Sequence, residues 1–357
     1  MQHNITYRGK DGSIQFIISY KDHSGRWRQK SKQGFAKVGQ AKEAAGNMLD
    51  ELKEKYALQL NTELEGITFG EFTAMHLEHL RLYKEHNTIT AYEQAAKKFA
   101  SLDGTELAKI TSVHVQQCVD SMVRAGLKPS TINNHIIKIK TLLKAAISPH
   151  RIIADNPAAA LKVPDSKDTA KDKALNIADV DKLLGKLKSP KKYIITLLAV
   201  KCGLRLGEIV GLTWDDVTGK GISISKQWKR RRDGSWGFGP PKSRNSHRTV
   251  PAPKSVLHAL TEYKKLYPVS IDKRIVPYAR TGGIGTELNS LYKRLGYDIS
   301  IHDLRHTFAT LLIAGGTDYR TAAQILGHNP EETMRVYAHV TSDMMDKAAK
   351  AMNDIFG

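Results

Sequence analysis

The chain opens with apolar and polar residues in alternation. Between turn signals at Asp11-Gly12 and Ser24-Gly25, every second residue is apolar or aromatic, as in a half-buried strand: Ile14, Phe16, Ile18 and Tyr20. From Gln40 to Leu60 the apolar residues recur at helical spacing instead. Residues 1–62 are therefore predicted to form a three-stranded β-sheet followed by one helix.

Helical spacing governs the middle of the chain. Apolar stripes predict helices over 69–83, 88–101, 112–125 and 130–147. Thr68 and Glu71 have the spacing of a capping box at the start of the first helix. Helices of this length pack together into a compact bundle, so residues 66–156 are predicted to be an α-helical domain.

A polar segment follows the bundle. Residues 157–173 offer almost no apolar side chain for burial, which is typical of a flexible linker. Such a linker would let the domains on either side close around a rod-like ligand.

Residues 174–357 combine helical patterns with short strands. We expect helices over 177–187, capped by Asn176, and over Tyr193–Cys202, and a strand over Gly221–Trp228 paired with His247–Val250. The whole chain is thus predicted to be multidomain and mainly α with small β elements. Its last domain would be mixed and mainly α, with a small antiparallel sheet.

The net charge of the chain indicates what kind of partner it binds. The formal charge is +19 and the pI is about 9.7, which favours a polyanionic partner such as double-stranded DNA. The two cysteines are too few for a disulfide framework and fit a reducing compartment. No apolar segment is long enough to cross a bilayer, and no signal peptide is evident, so we expect a cytoplasmic protein without a membrane partner.

Several basic clusters are candidate DNA contacts. They lie on a strand near the N-terminus, on the last bundle helix and on the hairpin after Trp228: Arg26, Arg28, Lys30, Lys138, Lys229, Arg230, Arg231, Arg232 and Arg244. Arg248 belongs to the same charged hairpin. The alternative for each cluster is a solvated surface.

The stretch from His302 to His339 carries the candidate chemistry. His302 and Arg305 are three residues apart and share one face of a predicted helix over 301–314. A guanidinium matches two phosphate oxygens, and an imidazole can donate a hydrogen bond or move a proton. Gly327 allows a tight turn that presents His328, and a short helix from Glu331 carries Tyr337, a candidate nucleophile.

Two further candidates come from earlier in the same domain. Gly203 and Gly207 flank Arg205 at a predicted helix–helix turn, which would aim Arg205 inward, and Glu208 is placed to hold or orient a neighbouring helix. Lys242 lies among arginines, whose like charge makes its proton easier to give up, so it is a candidate acid. Lys226 and Lys229 are the alternatives to Lys242.

A metal site is the competing interpretation of the histidines. His302 and His306 are four residues apart, like the two ligands of a zinc-protease helix. That motif needs a glutamate after the first histidine, where Asp303 stands, and Arg305 would place a positive charge between the ligands. We therefore expect no metal and no other cofactor.

Five motifs in order resemble the tyrosine recombinase, or phage integrase, family. They are Gly-Leu-Arg205-Leu-Gly-Glu, Pro-Lys242-Ser with Arg248-Thr-Val-Pro, His302-Asp-Leu-Arg305-His-Thr-Phe-Ala-Thr, Leu-Gly-His328 and Tyr337-Ala-His. The resemblance implies an integrase with an N-terminal arm-type DNA-binding domain (1–62), a helical core-binding domain (66–156) and a catalytic domain (174–357).

The resemblance also implies a mechanism. Tyr337 would attack a backbone phosphorus, giving a 3′-phosphotyrosyl link and a free 5′-hydroxyl. His302 would accept the tyrosine proton and Lys242 would protonate the leaving oxygen. The negative charge that builds on the phosphate would be stabilised by the remaining candidates: Arg205, Arg305 and His328.

The resemblance further implies a biological setting. The protein would integrate or excise a mobile element or prophage, encoded by a bacterium or phage and associated with the nucleoid. It would act as a homotetramer on DNA, with a DNA-bending accessory protein or an excisionase as a possible partner. The helical tail Ser342–Phe356 would pack on a neighbouring protomer or on its own core. The alternatives are a relaxing enzyme similar to type IB topoisomerases and a DNA-binding regulator without catalysis.

Overall fold

The described part of the chain forms two compact units. The computed structural model describes residues 1–22, 25–57, 62–162, 173–219, 221–241, 244–337 and 352–354. These residues separate into a unit within 1–169 and a unit within 170–357. Both units are mainly helical with small antiparallel sheets, which confirms the predicted fold class. The division into three domains stays a prediction.

The N-terminal sheet has three antiparallel strands and one helix, as predicted. Strands β1 (His3–Lys10), β2 (Ser13–Lys21) and β3 (Trp27–Phe35) lie in that order, and helix α1 (Val38–Ala57) follows. The strand alternation turns Phe16 and Ile18 onto one face, where both are buried with small helix residues such as Ala41 and Ala45.

The predicted bundle consists of four main helices. They are α2 (Phe69–Tyr83), α3 (His86–Lys98), α4 (Ser112–Arg124) and α5 (Pro129–Ile147). The capping box at α2 is present, since Glu71 N donates to Thr68 Oγ1 at 3.3 Å and Thr68 N donates to Glu71 Oε2 at 2.9 Å. The apolar stripe of α5 is buried along its length in the core of the bundle.

The first part of the predicted linker lies on this bundle. Ala158 is buried, and the side chain of Asn156 donates to the Lys140 carbonyl at 3.0 Å. Lys162 N donates to the Gln116 side chain at 3.0 Å. The remaining predicted linker residues up to 172 lie outside the described residues.

The second unit is built around one buried helix. Its helices are α6 (Ile177–Gly185), α7 (Pro190–Cys202), α8 (Leu206–Gly211), α9 (Lys254–Leu266), α10 (Thr281–Arg294), α11 (Ile301–Ala314), α12 (Tyr319–Leu326) and α13 (Pro330–Tyr337). Helix α7 is apolar on nearly every face and is buried from Ile194 to Val200. Asn176 caps α6 as predicted, because its side chain accepts from Asp179 N at 2.8 Å.

The predicted strand Gly221–Trp228 is wrong in its second half. Strand β4 (Val217–Thr218) pairs with β5 (Gly221–Ile224), which pairs with β8 (Arg248–Val250). A separate hairpin joins β6 (Gln227–Arg230) to β7 (Trp236–Gly239). The chain leaves the first sheet because Lys226 turns inward to Asp216 at 2.5 Å and the Trp228 ring stacks on Arg274 at 3.6 Å.

No helix among the described residues is both long enough and apolar enough to cross a membrane.

Candidate active site

Helix α11 carries two of the candidate catalytic residues. A capping box fixes its start: Ser300 N donates to Asp303 Oδ2 at 2.8 Å, and Asp303 N donates to Ser300 Oγ at 3.3 Å. Asp303 therefore orients the helix end, the task that its spacing from Ser300 allows. His302 and Arg305 then lie on the first turns, and the Arg305 side chain reaches the ends of α7 and α12.

Arg305 is buried and holds three elements together. Its side chain is 2% exposed. Nη1 donates to the Gly203 carbonyl at 2.5 Å, and Nη2 donates to the Leu326 carbonyl and contacts His328 Nε2 at 2.8 Å. One guanidinium thus ties α11 to the C-terminal ends of α7 and α12.

Two left-handed glycines make these helix ends possible. Gly203 (φ 64°) ends α7, and Gly327 (φ 65°) ends α12. A Cβ at Gly203 would lie 2.4 Å from a ring carbon of Phe308, and one at Gly327 would lie 3.1 Å from the Asn245 carbonyl. Both turns therefore need glycine, and they place Arg205 and His328 directly after each helix.

Arg205 reaches the same place from the start of α8. Its backbone N donates to Glu208 Oε2 at 2.9 Å, its Nη1 donates to Glu208 Oε1 at 2.9 Å and its Nη2 donates to the Gly327 carbonyl at 3.3 Å. The Arg205 side chain keeps 27% of its surface exposed. Arg305 Nη1 is 3.9 Å from Glu208 Oε2, so one carboxylate lies beside both arginines.

Arg248 is the residue that sequence reasoning assigned wrongly. It lies on β8, within the predicted strand His247–Val250, but we predicted a phosphate contact and its side chain is only 3% exposed. Its Nη1 and Nη2 donate to the two Glu208 oxygens at 3.0 and 2.9 Å, and its Nε donates to the Ile325 carbonyl at 2.6 Å. Glu208 was the signal in the sequence that could have indicated a buried arginine partner, because a buried carboxylate needs cationic partners.

Three consecutive carbonyls at the end of α12 each accept from a different arginine. Ile325, Leu326 and Gly327 accept from Arg248, Arg305 and Arg205 respectively. The last carbonyls of a helix have no partner within the helix and carry its negative end. This end of α12 therefore orients three guanidinium groups immediately before His328.

Electrostatics keeps Glu208 ionised and His328 neutral. Burial by itself would raise the pKa of Glu208, but hydrogen bonds and charge from Arg248 and Arg205 hold that pKa below its usual value. Burial, and then the charges of Arg305 and Arg205, lower the pKa of His328 to about 3. A neutral His328 accepts from Arg305 through Nε2, so its proton is on Nδ1, a buried atom without a hydrogen-bond partner among the described residues.

His302 is also held in its neutral form. Part of the His302 surface is open to solvent, but partial burial of the imidazole lowers its pKa. The neighbouring charges of His306 and Arg305 lower that pKa further. The rings of His302 and His306 meet edge to face with centroids 4.7 Å apart. A neutral imidazole at this position is able to accept a proton near neutral pH.

The remaining catalytic candidates are described only in part. Tyr337 is the last residue of α13, and its side chain lies outside the described residues. Lys242 lies outside them entirely, and so does the side chain of Arg244. Of the alternatives to Lys242, Lys226 is bound to Asp216 and to Thr213 Oγ1, the latter at 3.1 Å.

The basic hairpin residues lie on β6 and the turn after it. Arg230 Nε donates to the Gly234 carbonyl at 3.0 Å, and Arg231 Nε donates to the Phe238 carbonyl at 3.2 Å. Lys229 lies on the same strand, and Arg232 is exposed in the turn. The hairpin is anchored from below by Trp228, whose indole N–H donates to the Ala279 carbonyl at 2.9 Å.

The basic residues of the first unit lie in two places. On β3, Arg28 is opposite Tyr20 and Lys30 is opposite Ile18, so both share the sheet face that buries Ile18 against α1. Arg28 also pairs with Asp22 at 2.8 Å, and Arg26 precedes the strand. In the bundle, the Lys138 ammonium lies 4.9 Å from the centre of the Tyr92 ring.

Within the ranges that the structure describes, no set of three or more His, Cys, Asp or Glu side chains is arranged to hold a metal ion. The expected independence from metals stays a prediction about the reaction.

Comparison with known families identifies the class of protein. Residues 170–344 match the phage integrase family, residues 4–52 match an arm DNA-binding domain, and residues 74–150 match the SAM-like N-terminal domain of phage integrases. Together these segments span most of the chain. The chain therefore belongs to the phage integrase family, the tyrosine recombinases.

Individual relatives agree with this assignment. The chain is 25% identical to a XerC-like tyrosine recombinase of Caldanaerobacter subterraneus subsp. tengcongensis, over 99% of this chain and 98% of the relative. It is 27% identical to tyrosine recombinase XerD of Corynebacterium glutamicum, over 72% of this chain and 89% of the relative.

Solved structures share the fold. The Tn1549 transposon integrase in complex with a circular intermediate DNA has a TM-score of 0.67 and 24% identity, covering 80% of this chain and 99% of that one. A lambda integrase dimer bound to a core site has a TM-score of 0.57 and 16% identity, covering 96% of this chain and 95% of that one.

Proposed function

We propose that this recombinase cuts and rejoins double-stranded DNA at defined sites through a 3′-phosphotyrosyl link to Tyr337. It would thereby integrate or excise a mobile element or prophage. One observation carries the proposal: Arg205, Arg305 and His328 converge on the end of α12, and α13 leads from there to Tyr337. Such a cluster suits a phosphodiester because charge develops on its non-bridging oxygens during attack.

Arg205 and Arg305 are inferred to stabilise that charge. Each guanidinium is already oriented by backbone carbonyls, so the reorganisation needed when a phosphate arrives is confined to the contact between Arg305 and His328. Arg205 is the more accessible of the two, with 27% of its side chain exposed, and would meet the phosphate first. Arg305 would reach it as its contact to His328 opens.

His328 is inferred to add a neutral donor. Its low pKa keeps the ring uncharged at neutral pH, so the ring donates a hydrogen bond without adding repulsion beside two arginines. Donation from Nε2 to the phosphate would require the ring to give up its contact to Arg305 Nη2 and to carry its proton on Nε2 instead of Nδ1.

Proton transfer is inferred to involve His302 and Lys242. His302 is neutral at physiological pH because its pKa is lowered, and a neutral imidazole can accept the phenol proton of Tyr337. Lys242 would donate a proton to the 5′-oxygen that leaves. Because the ester keeps the energy of the broken bond, a 5′-hydroxyl of a partner duplex can reverse the step.

DNA is inferred to be held by all three parts of the chain. The predicted contacts are the basic residues of the N-terminal strand, of α5 and of the hairpin: Arg26, Arg28, Lys30, Lys138, Lys229, Arg230, Arg231, Arg232 and Arg244. Two protomers on each of two duplexes would form a tetramer, assisted by a bending protein or an excisionase. The N-terminal arm-type domain (1–62) would bind a second class of site, away from the exchanged core.

The proposal is tested with nicked duplexes that carry the junction sequences of the mobile element in which the gene for this protein lies. Wild-type protein should form a denaturation-resistant adduct in the presence of EDTA, and Tyr337→Phe should bind the same duplex without forming one. A regulator would bind but form no adduct, and a relaxing enzyme would form adducts on duplexes of any sequence. Either outcome would refute site-specific recombination.

A further inference from the structure

The proposed phosphate site is braced by a buried arginine, Arg248. Arg248 is 3% exposed, and its Nε, Nη1 and Nη2 all donate to protein atoms. Nη1 also donates to the Ser246 carbonyl on its own chain segment, at 3.1 Å. Four of the five N–H donors of this guanidinium are therefore used inside the protein.

Two of the groups that Arg248 binds belong to different elements of the site. Glu208 lies on α8 and holds Arg205 by its side chain and its backbone N, each at 2.9 Å. Ile325 lies in the last turn of α12, three residues before His328. Arg248 therefore fixes the distance between the element that carries Arg205 and the element that carries His328.

We propose that Arg248 is a positioning residue for recombination, which sets the geometry of Arg205 through Glu208 and of His328 through the Ile325 carbonyl. The proposal rests on the proposed function, because it assigns Arg248 a part in that chemistry. It predicts a residue that matters for strand cleavage without contributing to DNA affinity.

The fork of arginine suits this task better than lysine. Nη1 and Nη2 bind both carboxylate oxygens in parallel while Nε reaches the carbonyl from the edge of the plane. A lysine would keep the buried positive charge but would have one nitrogen for four acceptor atoms. Arg248→Lys should therefore restore part of the function that Arg248→Met removes.

Loss of Arg248 should also make cleavage sensitive to acid. Three cations face Glu208: Arg205 from α8, Arg248 from β8 and Arg305 from α11. Burial raises the pKa of Glu208 and the neighbouring cations lower it. When Arg248 is removed, the largest lowering contribution is lost, so the pKa of Glu208 rises. Protonated Glu208 holds Arg205 less firmly, so the rate should fall as pH falls.

The experiment measures single-turnover formation of the tyrosyl adduct by full-length protein on a nicked junction duplex, between about pH 8 and about pH 6. Affinity for the duplex is measured in parallel as a function of salt. The variants are Arg248→Met, Arg248→Lys and the double variant Arg248→Met with Glu208→Gln. The control is Arg294→Met, which removes an exposed arginine at the end of α10.

We expect Arg248→Met to cleave about 100-fold more slowly at neutral pH, the order of loss that a small misplacement of catalytic groups causes. Its affinity and salt dependence should match wild type, and its rate should drop further toward pH 6. Arg248→Lys should be intermediate. The double variant lacks both charges, should fold, and should be slow at every pH without the additional acid dependence that Arg248→Met shows.

Four results would overturn the proposal. They are a wild-type rate for Arg248→Met, a wild-type rate for the double variant, a loss of DNA affinity with a shallower salt dependence, and a pH profile unchanged by Arg248→Met. If Arg248→Met does not fold, the lysine and double variants decide the outcome. If wild-type protein forms no adduct on any junction, the proposed function fails rather than this inference.

Discussion

Replacing Glu208 with glutamine tests how much the site depends on one buried carboxylate. The side chain is 2% exposed and accepts hydrogen bonds from Arg248 Nη1 and Nη2, Arg205 Nη1 and Arg205 N. Glu208→Gln keeps the shape but removes the charge and turns one acceptor into a donor. Arg248 and Arg305, both nearly fully buried, then lack their shared counter-charge.

The magnitude follows from the burial of these charges. Removing one partner of a buried ion pair typically costs about 3–5 kcal/mol, because the remaining charge stays buried without compensation. For a unit of about 150–250 residues, each kcal/mol lowers the melting temperature by roughly 2–4 °C. Glu208→Gln should therefore lower the melting temperature of the second unit by roughly 6–20 °C.

Differential scanning calorimetry of the full chain at neutral pH measures this shift. Glu287→Gln is the matched control, since Glu287 is about half exposed and pairs with Lys192 on the surface of the same unit. Exposed pairs of this kind are worth about 0–1 kcal/mol, so the control should melt near wild type. A Glu208→Gln protein that melts within about 1 °C of wild type would refute the reasoning.

The difference in stability between wild type and Glu208→Gln should also depend on pH. The pKa of folded Glu208 lies below its ordinary value of 4.5, so the stability that its charge provides is fully present above pH 4.5. That stability is lost as pH falls through the lowered pKa. The difference in stability between wild type and Glu208→Gln should therefore be constant near neutrality and shrink in acid.

Three further predictions concern the turn, the hairpin and the helix cap. Gly327→Ala should cost about 1–2 kcal/mol in urea unfolding because of its left-handed backbone, whereas Gly282→Ala, with no neighbour within 4 Å, should be close to neutral or stabilising. Replacing Arg230 and Arg231 with glutamine should weaken DNA binding for all sequences, and should reduce the slope of log affinity against log salt by about 0.9 for each phosphate that is no longer neutralised. Asp303→Ala should remove the capping box of α11 and cost about 1 kcal/mol in the same urea measurement.

For each of these three predictions, a specific result would contradict it. Equal stability of the two glycine variants would mean that the turn after α12 accepts a side chain. An unchanged salt slope would mean that the hairpin arginines, which fold back on their own strand, do not contact phosphates. Full stability of Asp303→Ala would mean that the start of α11 is held by packing rather than by its cap.

Local patterns predicted most of the fold. The stripes of α2 and α5, the cap at Asn176 and the left-handed turn at Gly327 all depend on neighbours within four residues, so they can be recognised in the sequence. The convergence of Arg205 with Arg305 was anticipated from the family motifs and from glycine turns at the ends of the two helices that precede Arg205 and His328.

Tertiary contacts account for what the sequence could not predict. Arg248 is 40 residues from Glu208, and no local spacing shows that a basic residue on β8 turns inward. The end of β5 depends on Lys226 reaching Asp216 and on Trp228 stacking against Arg274. The face of β3 that carries Lys30 follows from its register with Ile18, which alternation within β3 does not specify.

The central claim is that the phenol of Tyr337 becomes bound to DNA phosphorus. The most direct measurement is mass spectrometry of the peptide that stays linked to a nicked junction duplex after denaturation and proteolysis. Our account predicts one modified peptide, with a 3′-phosphoryl nucleotide on Tyr337. A nucleotide on another residue, such as Tyr319 at the start of α12, or on a 5′-phosphate, would contradict it.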